Sequence, residues 1–338
     1  MSVSWVTAAA ALLSLALVAV VRRYALRRAL LDVPSERSSH SAPTPRGGGL
    51  GMVLACLLVV VVASWSGLRA DRAFSATLVG TVAVAAVGWL DDHGSLGVAS
   101  RLTVHLLAGL TVGWLAQGVP GPFGLAGAAG AAWWVFWTVS TINVTNFLDG
   151  IDGMIGLQVL VFGLHIARLA SGSGDAAILA AALVGSAVGF LAWNWAPARI
   201  FMGDVGSAAL GMLLVVTGVL AQREGRWPVS IVFLPLFPIF LDAAATLFLR
   251  WRSGESLTQA HRSHLYQRLA NGGWGHARVS LLYGVAAAAG LGVSYVADGA
   301  GRPYLLAGYF GAVALAGFLL DRYGMRQGRR EEGGTASP

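Results

Sequence analysis

About eleven apolar stretches, each long enough to cross a bilayer as a helix, follow one another along the chain with only short loops between them. They are expected near 3–21, 47–65, 74–90, 102–118, 129–147, 154–170, 175–193, 206–221, 228–249, 277–296 and 303–320. Backbone amides in hydrocarbon must be satisfied within the chain, so runs of this length predict an all-α polytopic membrane protein. No polar stretch between them is long enough to bury a second core, so residues 1–321 are expected to form one integral-membrane domain. The remainder, 322–338, is rich in Arg, Glu and Gly and is expected to be a disordered cytoplasmic tail. Pro228, Pro235 and Pro238 should kink or break the ninth span, and Gln158, His165 and Arg168 make the sixth the least apolar.

Charge sets the orientation. Seventeen of the 23 basic residues fall after spans 1, 3, 5, 7 and 9 or in the C-terminal tail. By the positive-inside rule the N-terminus lies outside and these loops face the cytoplasm of a bacterial inner membrane. The net charge of +7 therefore reflects topology, and no nucleic-acid partner is expected. Every basic residue is Arg, which excludes a P-loop lysine and a lysine Schiff base. Cys56 stands alone within a span, so intrachain disulfides and cysteine-based zinc sites are excluded as well.

Five polar islands interrupt the apolar chain, and the alternation of spans puts all five on that one face. Asp91 and Asp92 end the third span, where acids oppose the helix dipole; adjacent carboxylates suit a metal-phosphate site or a general base. Asn143, Asn146, Asp149 and Asp152 recur every three positions, a row that a tight helical turn would align, with Gly150 and Gly153 allowing close backbone approach to a ligand. Asn194 closes the seventh span. Asp204, bracketed by Gly203 and Gly206, opens the eighth; an ordinary N-cap is the structural alternative to a cation ligand there. His261, Arg262, His264 and Arg268 would form a cationic patch for phosphate oxygens or, in the plainer reading, a basic segment on anionic lipid. Asp242, inside the ninth span, should face the interior.

These residues, together with Asp32-Val33-Pro34, Arg37, His40, Pro43, Pro45, Arg46 and Gly47-Gly48-Gly49, resemble the polyprenyl-phosphate N-acetylhexosamine-1-phosphate transferase family. That family, glycosyltransferase family 4, includes the phospho-N-acetylmuramoyl-pentapeptide transferases. The resemblance covers nearly the whole chain and implies attack of a polyprenyl phosphate on the β-phosphate of a UDP-N-acetylhexosamine, releasing UMP. It implies Mg²⁺, with Mn²⁺ as a substitute, held by Asp204 and Asp149. Asp91 or Asp92 would be a base or metal-site acid, and Asn146, Asp149 and Asp152 nucleotide and metal-site residues. Asn143, Asn194 and the histidine loop, His261, Arg262, His264 and Arg268, would contact substrate, and a homodimer is an admissible assembly. Two features depart from the pattern: Ser38 stands where many relatives have Lys, and the histidine loop is most similar to the branch that initiates O-antigen synthesis. A proton-coupled transporter is the alternative, but it should carry ionisable groups at span centres, where chiefly His105, His165 and Asp242 occur. A CDP-alcohol phosphotransferase lacks its Ala-Arg pair here, since Gly153-Met154 stand in its place.

Overall fold

The computed structural model describes residues 3–34, 42–64, 72–94, 96–171, 174–225, 227–256, 262–297 and 303–334. Arg37, Ser38, His40 and His261 lie outside them. The chain forms α1 (Val3–Arg27), a two-residue ribbon of β1 (Leu31–Asp32) and β2 (Thr44–Pro45), then α2 (Gly49–Ser64), α3 (Arg72–His93), α4 (Val98–Leu115) and α5 (Gly127–Phe147). After these come α6 (Met154–Leu169), α7 (Gly174–Asn194), α8 (Asp204–Gly225), α9 (Val229–Val232), α10 (Phe237–Arg252), α11 (Leu265–Leu269), α12 (His276–Ala297) and α13 (Pro303–Gly334). The ribbon is antiparallel, with Leu31 opposite Pro45 and Asp32 opposite Thr44.

Each expected span coincides with helix, and the all-α polytopic fold holds. Among the described residues seven helical units, fewer than the eleven spans expected, are long and apolar enough to cross a membrane unaided: α1, most of α3, α4, α7, α8, Leu234–Arg252 and most of α12. The segments Gly49–Ala63, Met154–Leu169 and Tyr304–Leu320 are apolar but shorter. The ninth span is broken as its prolines require, into α9, a 3₁₀ turn at Leu234–Leu236, and α10 with Pro238 in its first turn. At the other end, α13 continues as helix to Gly334, past residue 321 where the sequence suggests that order stops.

The helix α8 is the axis of the molecule. Every residue from Val205 to Gln222 is buried, with α2, α3, α5, α6 and α7 around it. Lipid tails are as apolar as leucine, so helices in a bilayer associate through close packing rather than water release, and small residues permit it. Gly206 of α8 meets Gly49 of α2, where an added Cβ would lie 2.5 Å from the Gly49 Cα. Beside α2, Gly185 and Gly189 of α7, one helical turn apart, admit the α1 backbone: Cβ atoms there would stand 2.1 Å from the Thr7 carbonyl oxygen and 2.3 Å from that of Ala11. These close crossings fix where the polar ends of α2, α3, α5, α7 and α8 emerge.

Candidate functional site

The loop entering α2 is tied to the loop entering α8 by three backbone hydrogen bonds: Phe201 N–H to Pro45 O at 2.8 Å, Gly48 N–H to Phe201 O at 2.9 Å and Gly49 N–H to Met202 O at 2.8 Å. Gly203 takes φ +77°, and a Cβ there would sit 2.7 Å from Asp92 Oδ2, so only glycine turns the chain into α8 at this point. The free amides of α8 are then met from another helix. Asp92 Oδ1 accepts from Asp204 N–H at 3.2 Å and Oδ2 from Val205 N–H at 3.1 Å. Asp92, not Asp204, therefore caps α8, and the plain N-cap reading of Asp204 gives way. The Asp204 side chain is left partly exposed, 3.4 Å from Arg101 Nη1.

Arg101, in the first turn of α4, also binds Asp91 Oδ2 at 2.7 Å, while Asp91 Oδ1 accepts from Leu96 N–H at 2.6 Å. The adjacent acids thus diverge: Asp92 holds α8 in place, and Asp91 and Asp204 share one guanidinium. Arg46 donates to the Asp92 backbone carbonyl and lines the cleft beside it.

After α5 the chain turns sharply. The Tyr266 hydroxyl donates to Phe147 O at 3.0 Å, capping the end of α5, and a Cβ on Gly150 would lie 2.1 Å from that hydroxyl. Gly150, which lines the cleft that these turns enclose, thus also makes room for the protein's own tyrosine. Asn194 pins the same turn to α7, accepting from Gly153 N–H at 2.9 Å and donating to Ile200 O at 3.0 Å. Asp152 Oδ2 accepts from Ala198 N–H at 3.0 Å and stands 3.2 Å from His276 Nδ1, whereas its Oδ1 is buried with no hydrogen-bond partner.

These pieces enclose a polar cleft of about 240 Å³, into which Asp92, Asp149, Asp152, Asn194, Asp204 and Arg262 all face. A second cavity of about 780 Å³ runs between α3, α4, α5, α8 and α10, walled by Leu102, Phe136, Trp137, Val144, Phe240 and Leu247. Asp204 and Gln267 border both cavities.

The expected residues therefore divide. Asp92, Asp149, Asp152, Asn194, Asp204 and Arg262 meet in the cleft. Asn143, Asn146 and His264 line the apolar groove instead, with Asn146 Nδ2 donating to Ser207 Oγ at 3.0 Å and Asn143 Nδ2 to Val139 O at 2.7 Å. The three-residue row is thus split by the end of α5 at Phe147: the two members within the helix face the groove, and the two beyond its turn face the cleft. Arg268 lies on neither surface; it borders a third, apolar cavity between α10, α12 and α13. Cleft residues not singled out from sequence include Gln267, Asn271 and His276. Arg101 had a signal, an arginine in the opening turn of an apolar helix ten residues beyond Asp91; His276 had none before α12 was placed.

Asp149 touches the cleft but is otherwise enclosed by protein. Burial first, and then the charges of Asp204, Asp92 and Asp152, push its carboxyl well above the ordinary carboxylate range. This excess of acid and the unpartnered Asp152 Oδ1 suit a hard cation. Among the described residues no three Asp, Glu, His or Cys side chains converge to hold a metal by themselves. The donor set fits an ion such as Mg²⁺, which takes one or two protein carboxylates and completes its shell with water and substrate oxygens.

A model of glycosyl transferase family 4 matches residues 74–222, the stretch that carries Asp91 through Asp204. The chain is 30% identical over 287 residues to a decaprenyl-phosphate N-acetylglucosaminephosphotransferase of Mycobacterium leprae, covering 74% of this chain and 72% of that one. It is likewise 30% identical over 278 residues to a probable undecaprenyl-phosphate N-acetylglucosaminyl 1-phosphate transferase of Bacillus subtilis, covering 78% and 75%. A phospho-N-acetylmuramoyl-pentapeptide-transferase of Synechococcus sp. is 31% identical over 297 residues, covering 82% and 86%.

Proposed function

The chain belongs to glycosyl transferase family 4, and from that premise we propose that it transfers N-acetylhexosamine 1-phosphate from a UDP-sugar to polyprenyl phosphate at the cytoplasmic face of a bacterial membrane. The product is polyprenyl-diphospho-sugar, the first lipid-linked unit of a cell-envelope or O-antigen polysaccharide, and UMP leaves. One observation carries the reading: Asp204 and Gln267 border a polar, acid-rich cleft on one side and a long apolar groove on the other. A water-soluble diphosphate donor and a lipid acceptor would meet at that edge and nowhere else among the cavities described.

The chemistry asks little covalent work of the protein. An oxygen of the lipid phosphate attacks the donor's β-phosphorus, the bond from that phosphorus to the bridging oxygen breaks, and the electron pair leaves on UMP. The lipid phosphate is already anionic, so placement and charge stabilisation dominate and a general base is dispensable near neutral pH. Mg²⁺, held by Asp149 and Asp204, would neutralise the charge that gathers on the diphosphate oxygens. Arg101, which lines the groove while it holds Asp91 and Asp204, would offer its remaining guanidinium donors to the acceptor phosphate, and Arg46 and Arg262, which line the cleft, would face the donor. Asp92 acts by holding the α8 terminus still.

In a transporter reading, two of the three candidate proton carriers are tied into the fold, and the third, His105, lines the apolar groove. His165 Nε2 is bonded to Ile231 O at 2.9 Å, and Asp242 accepts hydrogen bonds from two backbone amides. The test is detergent-purified protein supplied with polyprenyl phosphate, Mg²⁺ and a panel of UDP-sugars, with the lipid product read by mass spectrometry. Product and UMP should appear together and require all three additions. No lipid product from any UDP-N-acetylhexosamine would overturn the reading.

A further inference from the structure

Asp242 lies in α10, buried and outside the donor cleft, yet its two carboxylate oxygens gather five partners. Oδ1 accepts from Leu265 N–H at 2.9 Å and Thr246 Oγ1 at 3.2 Å and stands 3.3 Å from His264 Nδ1; Oδ2 accepts from Tyr266 N–H at 3.2 Å and from the Tyr283 hydroxyl at 2.6 Å. The first two amides of α11 are thus capped by a carboxylate from another helix. A helix of five residues has little stability of its own, so Asp242, together with the His264–Gln267 capping box at the same end, fixes where it begins.

The far side of α11 bears on both cavities. Tyr266 carries its hydroxyl to Phe147 O, over Gly150 and next to Asp149. Gln267, the next residue, borders the cleft and the groove together with Asp204. We propose that Asp242 is a positioning residue: by capping α11 it sets the wall that faces Asp204 across the junction of cleft and groove, and so the spacing at which donor and lipid phosphates meet. A misplacement of an ångström at such a junction costs rate more than it costs binding. The inference rests on the proposed transfer reaction.

The experiment is a double-mutant cycle of Asp242→Asn with Tyr266→Phe, in full-length protein in detergent, with steady-state transfer measured against donor. Asp242→Asn nearly preserves volume but places an amide N–H where donors converge. It should lower kcat by about 10-fold or more with donor KM changed by less than about 3-fold. If Asp242 acts through α11, Tyr266→Phe already frees that helix from the end of α5, and adding Asp242→Asn should then cost less than about half its separate effect in logarithmic rate. Hydrogen exchange should quicken at the Leu265 and Tyr266 amides in the single Asp242 variant. Should Asp242→Asn fail to fold, Tyr283→Phe removes one partner alone and should show the same kcat-weighted loss at smaller size. Additive effects in the cycle, or unchanged exchange at those amides, would overturn the inference while wild-type transfer still stands. Absence of transfer by the wild type would instead remove the reaction reading itself.

Discussion

At the scale of single residues, three carboxylates that look alike in sequence do different work. Asp92 spends both oxygens on α8 amides, whereas Asp204 is partly exposed at the junction of two cavities. Asp204→Asn should therefore cut transfer by at least about 100-fold, the scale of losing a key electrostatic group, with the unfolding midpoint in detergent nearly unchanged. Asp92→Ala should lower that midpoint too, since an N-cap is worth about 1 kcal/mol and its loss loosens the cleft. Equal midpoints for the two variants would remove the distinction. Asp149 gives the pH dependence. Its folded carboxyl holds a proton to higher pH than the unfolded chain, whose carboxyl titrates near about 3.9. Between those two points the folded state binds more protons, so stability falls as pH rises. Without divalent cation, the wild-type midpoint should drop as pH climbs through that window, while Asp149→Asn should be flatter. Added Mg²⁺ should restore the wild type alone, and parallel pH profiles would contradict the assignment.

At the scale of elements, the site depends on how closely helices and loops approach. The α2–α8 crossing admits no Cβ at Gly206, so Gly206→Ala should cost about 1–3 kcal/mol by overpacking and shift Asp204 with it. Thermal unfolding checks this; a neutral result would mean that α2 moves freely against α8. Gly150→Ala carries a sharper expectation. The clash is with the Tyr266 hydroxyl, so removing that oxygen with Tyr266→Phe should recover part of the stability lost by Gly150→Ala. No recovery would place the constraint in the backbone turn itself. The row from Asn143 to Asp152 belongs to this scale too. Its sequence spacing is regular, but α5 ends at Phe147, so its members serve two cavities.

At the scale of the whole molecule, the polar ends of α2, α3, α5, α7 and α8 come together at one cleft, and the proposed function puts that end in the cytoplasm. In a chain with Cys56→Ser, Gly94→Cys is an exposed position at that end and Arg223→Cys an exposed position at the other end of α8. An impermeant thiol reagent applied to intact cells should label Arg223→Cys and spare Gly94→Cys. The reverse pattern would turn the protein over in the membrane and put the cleft outside.

What the sequence determined by itself followed from local and additive rules. Apolar run length set the helices, three prolines broke the ninth span, and the alternation of helices collected the polar islands at one end. Those signals are written within some twenty residues and need no partner. What only the tertiary structure decided were the pairings across helices. Asp92 caps α8 from α3, Asp242 caps α11 from α10, Tyr266 fills the space that Gly150 leaves, and His276 reaches Asp152 from α12. A carboxylate's sequence neighbours do not say whether its oxygens will meet amides or a cavity. That depends on which helices approach closely enough to bring donors within about 3 Å of it, a property of packing spread over the whole chain.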